Sequence, residues 1–230
     1  MGRKVAALKT DALEALPERC RSCLFWELGY PRPDPRGGNG APADELAGNR
    51  VVQKQAWATA AGLEWAPPGR VVRVDDRTVG YVVFAPAERV APRSAPVPPT
   101  SHDALHLTTL WVEPGFREGG FAKLLVHEAI REAQRHDLAA VEAYGDRRYH
   151  EAECVLPAQF LLKVGFEVHR EHPRYPLLRL DAKRTLRWAE SLEQALDEFL
   201  ERLPRKVPVP VPKHSPSPSS HPTTDGSARP

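Results

Sequence analysis

Residues 117–123 form a glycine-containing turn, here called the glycine turn, of a type that binds anions. It follows an apolar run that ends at Val112 and precedes a segment with helical periodicity. A turn at the start of a helix directs several backbone N–H groups, and the positive end of the helix dipole, towards one point. Phosphate groups bind at such points, and small residues let the backbone come close to them. The residues of the turn are Arg117, Glu118, Gly119, Gly120, Phe121, Ala122 and Lys123.

The spacing of the glycine turn differs from that of the commoner phosphate-binding loops. It lacks the Gly-Lys-Ser/Thr ending of a Walker loop and the three spaced glycines of a dinucleotide fingerprint. The pattern Arg-x-x-Gly-x-Ala, from Arg117 to Ala122 after a strand that ends in Val-Glu-Pro, resembles the pyrophosphate loop of the GCN5-related N-acetyltransferase (GNAT) superfamily. The alternative is an ordinary strand-to-helix turn whose glycines serve geometry alone.

The resemblance implies how acetyl-coenzyme A (acetyl-CoA) would bind. Its pantetheine arm would pair with the central strand at Leu110, Trp111 and Val112, and its pyrophosphate would lie on the amides of residues 117–122. Lys123 would add positive charge nearby. The thioester would lie where the central strand and the fifth strand separate, and a primary amine would attack it directly.

The resemblance also directs attention to His106 as the general base. Many relatives carry a glutamate four residues before the position of Leu110, and this sequence has His106 there. Histidine titrates near neutral pH and could take a proton from an ammonium group directly or through water. The alternative is a strand histidine that is hydrogen-bonded at the surface.

The general acid and the contacts of the pantetheine arm depart from the family pattern. Relatives usually place a tyrosine four residues before the Gly-Phe pair after the short helix, but this chain has Leu161 there, which cannot donate a proton. Tyr144 and Tyr149 are the alternative acids. Cys154 stands where relatives often have an asparagine that contacts the pantetheine, so we expect it to touch the cofactor or to pack passively.

The acceptor is expected to be a small-molecule or peptide amine, but its identity stays open. Residues 144–148 resemble a loop at the acceptor entrance, where Asp146 could attract an amine and two arginines, Arg147 and Arg148, would favour an acidic acceptor. Trp57 and Trp65 could line the acceptor pocket or pack in the core.

Cys20 and Cys23 form a single Cys-x-x-Cys pair, which is half of a zinc site. Cys154 and a histidine could complete the site only if the chain folded back. A thioredoxin-like pair would stand at a helix N-terminus, whereas these residues begin the strand predicted at residues 20–28. Two buried structural thiols are therefore the favoured interpretation, and no metal is expected.

The composition is typical of a soluble globular protein and excludes several other classes. Of the 230 residues, 41% are hydrophobic and 27% are charged, with a net charge of +2. Nearly balanced charge argues against a nucleic-acid or membrane partner, and no run of about 18 apolar residues occurs. Three cysteines and the absence of a signal-peptide core favour a cytoplasmic location.

The periodicities predict the element order β-α-β-β-β-α-β-α-β-β, which is the order of the GNAT superfamily. The resemblance covers residues 20–182 and implies an α/β fold with a mixed, twisted, mostly antiparallel sheet flanked by helices. The predicted strands are 20–28, 70–74, 78–84, 105–112, 139–144, 166–170 and 177–180, and the predicted helices are 44–63, 121–136 and 155–164.

Three further segments complete the predicted organisation. Residues 1–19 are an ambiguous leader, residues 183–203 a C-terminal amphipathic helix, and residues 204–230 a proline-rich disordered tail. The apolar stripe of the C-terminal helix must cover this domain or a second subunit, so a homodimer is one alternative.

Together these features predict an acetyl-CoA-dependent N-acetyltransferase that moves an acetyl group to a primary amine. One alternative is a catalytically weak acyl-CoA-binding sensor with the same fold, which the missing tyrosine favours. A second is a partner-binding scaffold in which the proline-rich tail is the main functional element.

Overall fold

The computed structural model describes residues 2–30, 43–91, 100–149, 154–183 and 189–202. The predicted proline-rich tail and the start of the predicted C-terminal helix lie outside these residues. The strands are β1 Arg3–Ala7, β2 Gly69–Val74, β3 Arg77–Pro86, β4 Ala104–Val112, β5 Ala140–Asp146, β6 Leu156–Pro157, β7 Glu167–Arg170 and β8 Leu177–Asp181. The helices are α1 Thr10–Leu13, α2 Glu18–Arg21, α3 Phe25–Leu28, α4 Ala43–Glu64, α5 Phe121–Arg135, α6 Ala158–Lys163 and α7 Ala189–Arg202.

The strands form one mixed sheet in the order β1-β2-β3-β4-β5-β8-β7, and β6 adds to the end of β5. Strands β4 and β5 run parallel, as do β5 and β6, and the other neighbours are antiparallel. The predicted fold class is therefore confirmed. The parallel pair β4 and β5 therefore lies side by side near the middle of the sheet, and β5 is buried along its whole length.

Helices cover both faces of the sheet. On one face, α5, α6 and α7 pack on alternate side chains of the central strands, with Phe121, Leu161 and Leu196 all fully buried in one core cluster. On the other face, α1 and α4 pack on the intervening side chains, such as Tyr81 and Val83. The strand periodicity of two separates these layers, since neighbouring residues point to opposite faces.

Helix α7 covers this domain. Leu196 and Leu200 belong to the main core cluster, and Phe199 packs on the rings of Phe116 and Phe121. In the part of the helix whose side chains are described, the apolar stripe is thus buried within the chain, as the first sequence-based alternative expected. Burial of this stripe needs no second subunit there.

The prediction of a first strand at residues 20–28 is wrong. This segment forms two one-turn helices, α2 and α3, and the first strand is β1, which lies inside the predicted leader and pairs with β2. The buried residues Cys23, Leu24, Trp26 and Glu27 follow a helical spacing rather than strict alternation. A short apolar run is compatible with a strand or with a helix, and for residues 20–28 tertiary packing favours the helical conformation.

The β2–β3 hairpin confirms the two strands predicted at residues 70–74 and 78–84. Asp75 and Asp76 have φ values of 47° and 63°, which is the left-handed pair that a two-residue type I′ turn requires. Aspartate tolerates this conformation better than most residues, so the local sequence encodes the turn. After the hairpin turn, β3 runs antiparallel to β4, the strand beside which the candidate active site lies.

Gly69→Ala is expected to lower the free energy of unfolding by about 2 kcal/mol or more. A Cβ at this position would overlap the carbonyl oxygen of Val82 on the neighbouring strand, so the backbone must shift. Urea unfolding followed by circular dichroism measures the effect. Gly62→Ala in α4 is the matched control, since nothing lies within 4 Å there and alanine favours a helix by up to about 1 kcal/mol. Equal stability of Gly69→Ala and wild type would contradict the prediction.

Candidate active site

The glycine turn links the end of β4 to the start of α5. Pro114–Phe116 form a 3₁₀ turn, and Gly120 is the N-cap of α5 with φ 78°, a left-handed conformation that favours glycine. No side chain caps the helix. The predicted strand–turn–helix unit is therefore confirmed, and its backbone needs a glycine at position 120.

The amides at the start of α5 are the ones open to an anion. The Arg117 amide donates to the carbonyl of Pro114 (3.3 Å) and the Gly119 amide to that of Phe116 (3.2 Å), so both are already used within the turn. The N–H groups of the first helical turn have no acceptor inside the helix. This removes the amides of Arg117 and Gly119 from the predicted anion contacts and leaves those of Glu118, Gly120 and the first residues of α5, where the helix dipole adds its positive end.

The side chains around the glycine turn favour a negatively charged ligand. Lys123 and Arg117 are both exposed. The nearby carboxylate of Glu113 is paired with Arg77, which reduces its repulsion of an anion. Gly119 lies against the ring of Phe199, where an added Cβ would overlap, so α7 supports the turn.

Beyond the first three residue pairs, β4 and β5 separate. Their pairing comprises Ala104–Ala140, Leu105–Val141 and His106–Glu142 only. From there β5 pairs with β6 at Gly145 and Asp146, while β4 continues beside β3 to Val112. Among the described residues, no strand pairs with the β5 side of β4 at residues 107–112, and an extended chain of amides in the gap between β4 and β5 could pair with the main-chain groups there.

Glu142 closes the gap at its base. Its buried carboxylate accepts hydrogen bonds from the amide (2.8 Å) and hydroxyl (2.9 Å) of Ser101 and from Arg179 (2.9 Å). Arg179 also pairs with Asp103 at 2.8 Å. These contacts join β5, β8 and the segment before β4, so they fix the point at which β4 and β5 separate.

A β-bulge at Thr108 turns the site-facing residues of β4. Val83 is opposite Thr109, whereas the next residue, Phe84, is opposite Leu107, so Thr108 is the extra residue. The Thr108 hydroxyl donates to the carbonyl of Val83 at 3.2 Å. A bulge bends a strand and re-aims its side chains. As a result, Thr109 and His106, three positions apart, both point to the face covered by α1–α4.

His106 is buried beside the gap. It is only 2% exposed, and its Nε2 atom has no hydrogen-bond partner among the described residues. Burial lowers its pKa to about 3, because the charged imidazolium would lose its hydration. His106 is therefore neutral at pH 7, and the alternative of a surface histidine is wrong. Its catalytic role stays a prediction.

Tyr144 lies next to His106, and Trp26 contacts both residues. The rings of Trp26 and Tyr144 are stacked, with centroids 6.0 Å apart, and the His106 ring meets Trp26 edge-on at 5.0 Å and Tyr144 at 5.5 Å. Burial raises the pKa of Tyr144 to about 12, so its hydroxyl is protonated at neutral pH. These three residues form the aromatic cluster. The sequence prediction brought together two of its members and missed Trp26.

Comparison with known families assigns the chain. The sequence pattern of the family described as the acetyltransferase (GNAT) family matches residues 42–166, more than half of the chain. The chain belongs to the GNAT acetyltransferase family. Its cosubstrate is acetyl-CoA, as in other GNAT enzymes, which confirms the predicted family and cosubstrate. No curated protein sequence matches the chain.

Two solved structures show the same GNAT fold at low sequence identity. The PaiA N-acetyltransferase of Thermoplasma acidophilum, solved in complex with coenzyme A, is 13% identical over 79% of this chain and 99% of that chain, with a TM-score of 0.50. YncA of Salmonella typhimurium, solved with its cofactor acetyl-CoA, is 14% identical over 79% of this chain and 95% of that chain, with a TM-score of 0.52. These similarities support the fold, whereas the acceptor must be argued from the site itself.

Leu161 holds the position at which the resemblance predicts the general acid, and its side chain cannot donate a proton. Leu161 on α6 is fully buried in the main core. Tyr149, the other predicted substitute, is 41% exposed and follows β5. Of the two tyrosines, Tyr144 is therefore the one that contacts His106.

A pocket that we call the thiol pocket adjoins the aromatic cluster through Trp26. Its empty volume of about 290 Å³ includes open solvent at the mouth, and its enclosed part is about the size of one water molecule. Inside it, Lys54 donates to Glu27 at 2.6 Å, so the buried acid is already paired. The lining residues are Leu16, Cys20, Cys23, Trp26, Glu27, Lys54, Tyr81, Val83, Thr109 and Cys154.

The three cysteines meet in the thiol pocket as reduced thiols. Within the described ranges, no three or more His, Cys, Asp or Glu side chains are grouped as metal ligands would be. The Cys-x-x-Cys spacing was the signal for these residues in the sequence, but the structure places Cys23 against Cys154 instead.

Several residues predicted near the acceptor have other contacts. Asp146 is buried and accepts from the Arg148 amide (2.8 Å) and the Arg174 side chain (3.3 Å), so it is not available to attract an amine. Arg147 pairs with Glu171 at 2.6 Å. The predicted acceptor entrance at residues 144–148 therefore offers less unpaired charge than its sequence indicates.

The two predicted acceptor-pocket tryptophans both pack against the core. Trp57 packs against the cluster that contains Trp26 and Tyr144, and its indole donates to the carbonyl of Arg89 at 3.2 Å. Trp65 packs against the main cluster, and its ring lies tilted against His136 at the far end of α5, with ring centroids 4.6 Å apart. Neither lines the thiol pocket.

Of the helices in the described part of the chain, none combines the length and apolar character needed to cross a bilayer.

Proposed function

We propose that this protein transfers the acetyl group of acetyl-CoA to a primary amine by direct attack of the amine on the thioester. The observation that supports the proposal is that the predicted pyrophosphate, pantetheine and proton-transfer sites all lie along β4. Its C-terminal end leads into the glycine turn, its middle has an unpaired edge beside the gap, and His106 lies where that gap begins.

The chain's own residues fit the cosubstrate along this strand. The amides of Gly120, Phe121 and Ala122 would bind the pyrophosphate, with Lys123 adding charge. The unpaired edge of β4 at residues 110–112 would hydrogen-bond to the amides of the pantetheine arm, as an added strand does. Cosubstrate binding supplies the activated acetyl group.

The aromatic cluster would handle the proton transfers. The Nε2 atom of neutral His106 has no hydrogen-bond partner in the part of the chain that the structure describes, and it can accept a hydrogen bond from the attacking amine directly or through water. Because its pKa is low, His106 is a weak base, so we propose that it orients an amine that has already lost its ammonium proton. Protonated Tyr144 can donate to the leaving thiolate, in place of the tyrosine that Leu161 replaces.

The acceptor would approach from the face covered by α1–α4, where Trp26 and Thr109 line the thiol pocket. Since Glu27 is paired with Lys54 and Asp146 with Arg174, the described residues near the site offer little unneutralised negative charge. A small or peptide amine with an apolar neighbouring group fits this lining best. We also propose that the enzyme acts in the cytoplasm, where its three reduced thiols would persist.

An assay of CoA thiol release over a panel of small and peptide amines tests the proposal. Amine-dependent release, with the acetylated product identified by mass spectrometry, is the expected result. Tight binding of acetyl-CoA without release for any amine would support the sensor alternative, which the buried Leu161 at the usual acid position favours. Absence of both binding and release would refute the site assignment.

Tyr144→Phe is expected to lower kcat/KM by roughly 100-fold, since general acid catalysis typically contributes about 10²–10⁴-fold. The ring stack with Trp26 is kept, so the loss reports the hydroxyl group. Tyr149→Phe is the matched control and should leave the rate unchanged. If Tyr149→Phe lowers the rate and Tyr144→Phe does not, the acid assignment is reversed.

A further inference from the structure

The thiols of Cys23 and Cys154 are in direct contact. Their Sγ atoms are 3.2 Å apart, although the residues are separated by 131 positions in the chain. Cys23 lies between α2 and α3, and Cys154 precedes β6. A disulfide needs its sulfur atoms about 2.05 Å apart, so a movement of roughly one ångström would join them.

The surroundings of Cys23 favour its reactive form. The hydrogen bond with Cys154 is the main cause that lowers the pKa of Cys23 to about 7, and the Phe25 amide and the Lys54 ammonium act in the same direction. Burial and Glu27 act against them. Lys54 is held close to Cys23, because its Nζ donates to the Cys23 carbonyl at 2.8 Å. A substantial thiolate fraction at neutral pH makes a cysteine nucleophilic.

Cys154 is the more accessible thiol of the pair. Cys154 is partly exposed whereas Cys23 is buried, and both line the thiol pocket, which has room for a molecule about the size of water and an open mouth. Cys20 lines the same pocket, yet Cys154 rather than Cys20 is the thiol in contact with Cys23. The pair that the structure presents is therefore not the Cys-x-x-Cys pair of the sequence.

We propose that Cys23 and Cys154 are a redox modification site that forms a reversible disulfide beside the acceptor pocket. With a hydroperoxide as oxidant, the Cys23 thiolate attacks the peroxide oxygen, which gives a sulfenic acid and releases the alcohol or water after protonation. The Cys154 thiol then attacks that sulfur and releases water. Overall, two thiols and one hydroperoxide give one disulfide, one alcohol or water, and one water.

The disulfide would act on the aromatic cluster through Trp26. The Trp26 indole donates to the carbonyl of Cys154 at 2.9 Å, and its ring stacks on Tyr144. A bond between Cys23 and Cys154 fixes the chain on both sides of this indole. We expect oxidation to change acetyl transfer through restricted movement of Trp26, and this consequence alone depends on the proposed function.

Treatment of the purified full chain with hydrogen peroxide, followed by thiol counting and non-reducing peptide mapping, tests the site. The expected result is a fall from three thiols to one, a cross-linked peptide pair containing Cys23 and Cys154, and recovery of all three thiols with dithiothreitol. Cys20→Ser is the matched control and should form the same cross-link. A Cys20–Cys23 disulfide, or sulfinic acids without a cross-link, would overturn the proposal.

Thermal unfolding gives a second readout. Closing so long a loop should raise Tm by roughly 5–10 °C in wild type and in Cys20→Ser, and should not change it in Cys154→Ser or Cys23→Ser. The peptide mapping is done on the wild-type protein, so the cross-link can be tested even if a cysteine variant folds poorly. If the cross-link forms but no amine is acetylated, the redox site stands and the proposed function fails.

Discussion

Gly120→Glu is expected to weaken coenzyme A binding by about 100-fold or more. Gly120 has a left-handed backbone that glutamate adopts poorly, and the new carboxylate would lie among the amides proposed to bind the pyrophosphate. Loss of charge-assisted hydrogen bonds worth about 1.5–3 kcal/mol each accounts for this factor. Isothermal titration calorimetry with coenzyme A measures the change.

Gly115→Glu is the matched control for Gly120→Glu. Gly115 is exposed in the 3₁₀ turn of the same loop, and nothing lies within 4 Å of an added Cβ. It introduces the same charge without disturbing the N-cap, so a loss of at most a few-fold is expected. If Gly120→Glu binds coenzyme A as tightly as wild type while folded, the pyrophosphate does not lie on these amides.

Acidification from pH 7 to pH 5 is expected to remove about 2 kcal/mol of unfolding free energy through His106 alone. The folded-state pKa of His106 is lowered to about 3 from an ordinary value of 6.5. Between these values the unfolded chain binds a proton that the folded chain does not, so stability rises with pH in this window. Above pH 6.5 both states are neutral and the contribution disappears. Near pH 3 the loss grows to about 4 kcal/mol.

Urea titrations at pH 5 and pH 7 check this prediction. His106→Phe keeps an aromatic ring against Trp26 and should lose the pH dependence that His106 contributes, whatever its stability at pH 7. His102→Gln is the control, since the His102 side chain is 95% exposed and its removal should leave the wild-type pH dependence. An identical pH dependence in wild type and His106→Phe would show that His106 titrates normally and is therefore hydrated in the folded protein.

The low pKa of His106 also limits which group can shape the pH dependence of kcat/KM. A general base with a pKa near 3 produces no inflection between pH 6 and 7 in kcat/KM. A change of kcat/KM between pH 6 and 7 would have to come from the titration of another group. Candidates are the acceptor amine and the Cys23 thiol, whose pKa is lowered to about 7. Comparison of the profiles of wild type and Cys23→Ser separates these two sources.

The sequence by itself determined the features that depend on a few neighbouring residues. The glycine turn could be predicted because the left-handed Gly120 and the helix that follows it are encoded locally. The two strands of the hairpin were also predicted, and Asp75 and Asp76 between them encode the turn locally. Long periodic helices such as α5 were also recognised, since their apolar face repeats over several turns.

Only the tertiary structure decided the features that depend on distant contacts. Residues 20–28 are helical because their side chains pack beneath the sheet, and Trp26 reaches the site for that reason alone. The pairing of Cys23 with Cys154 crosses 131 positions, for which local sequence has no signal. The neutral state of His106 likewise results from its burial by α3 and β5, because hydration depends on the whole surroundings of a group rather than on its neighbours in the chain.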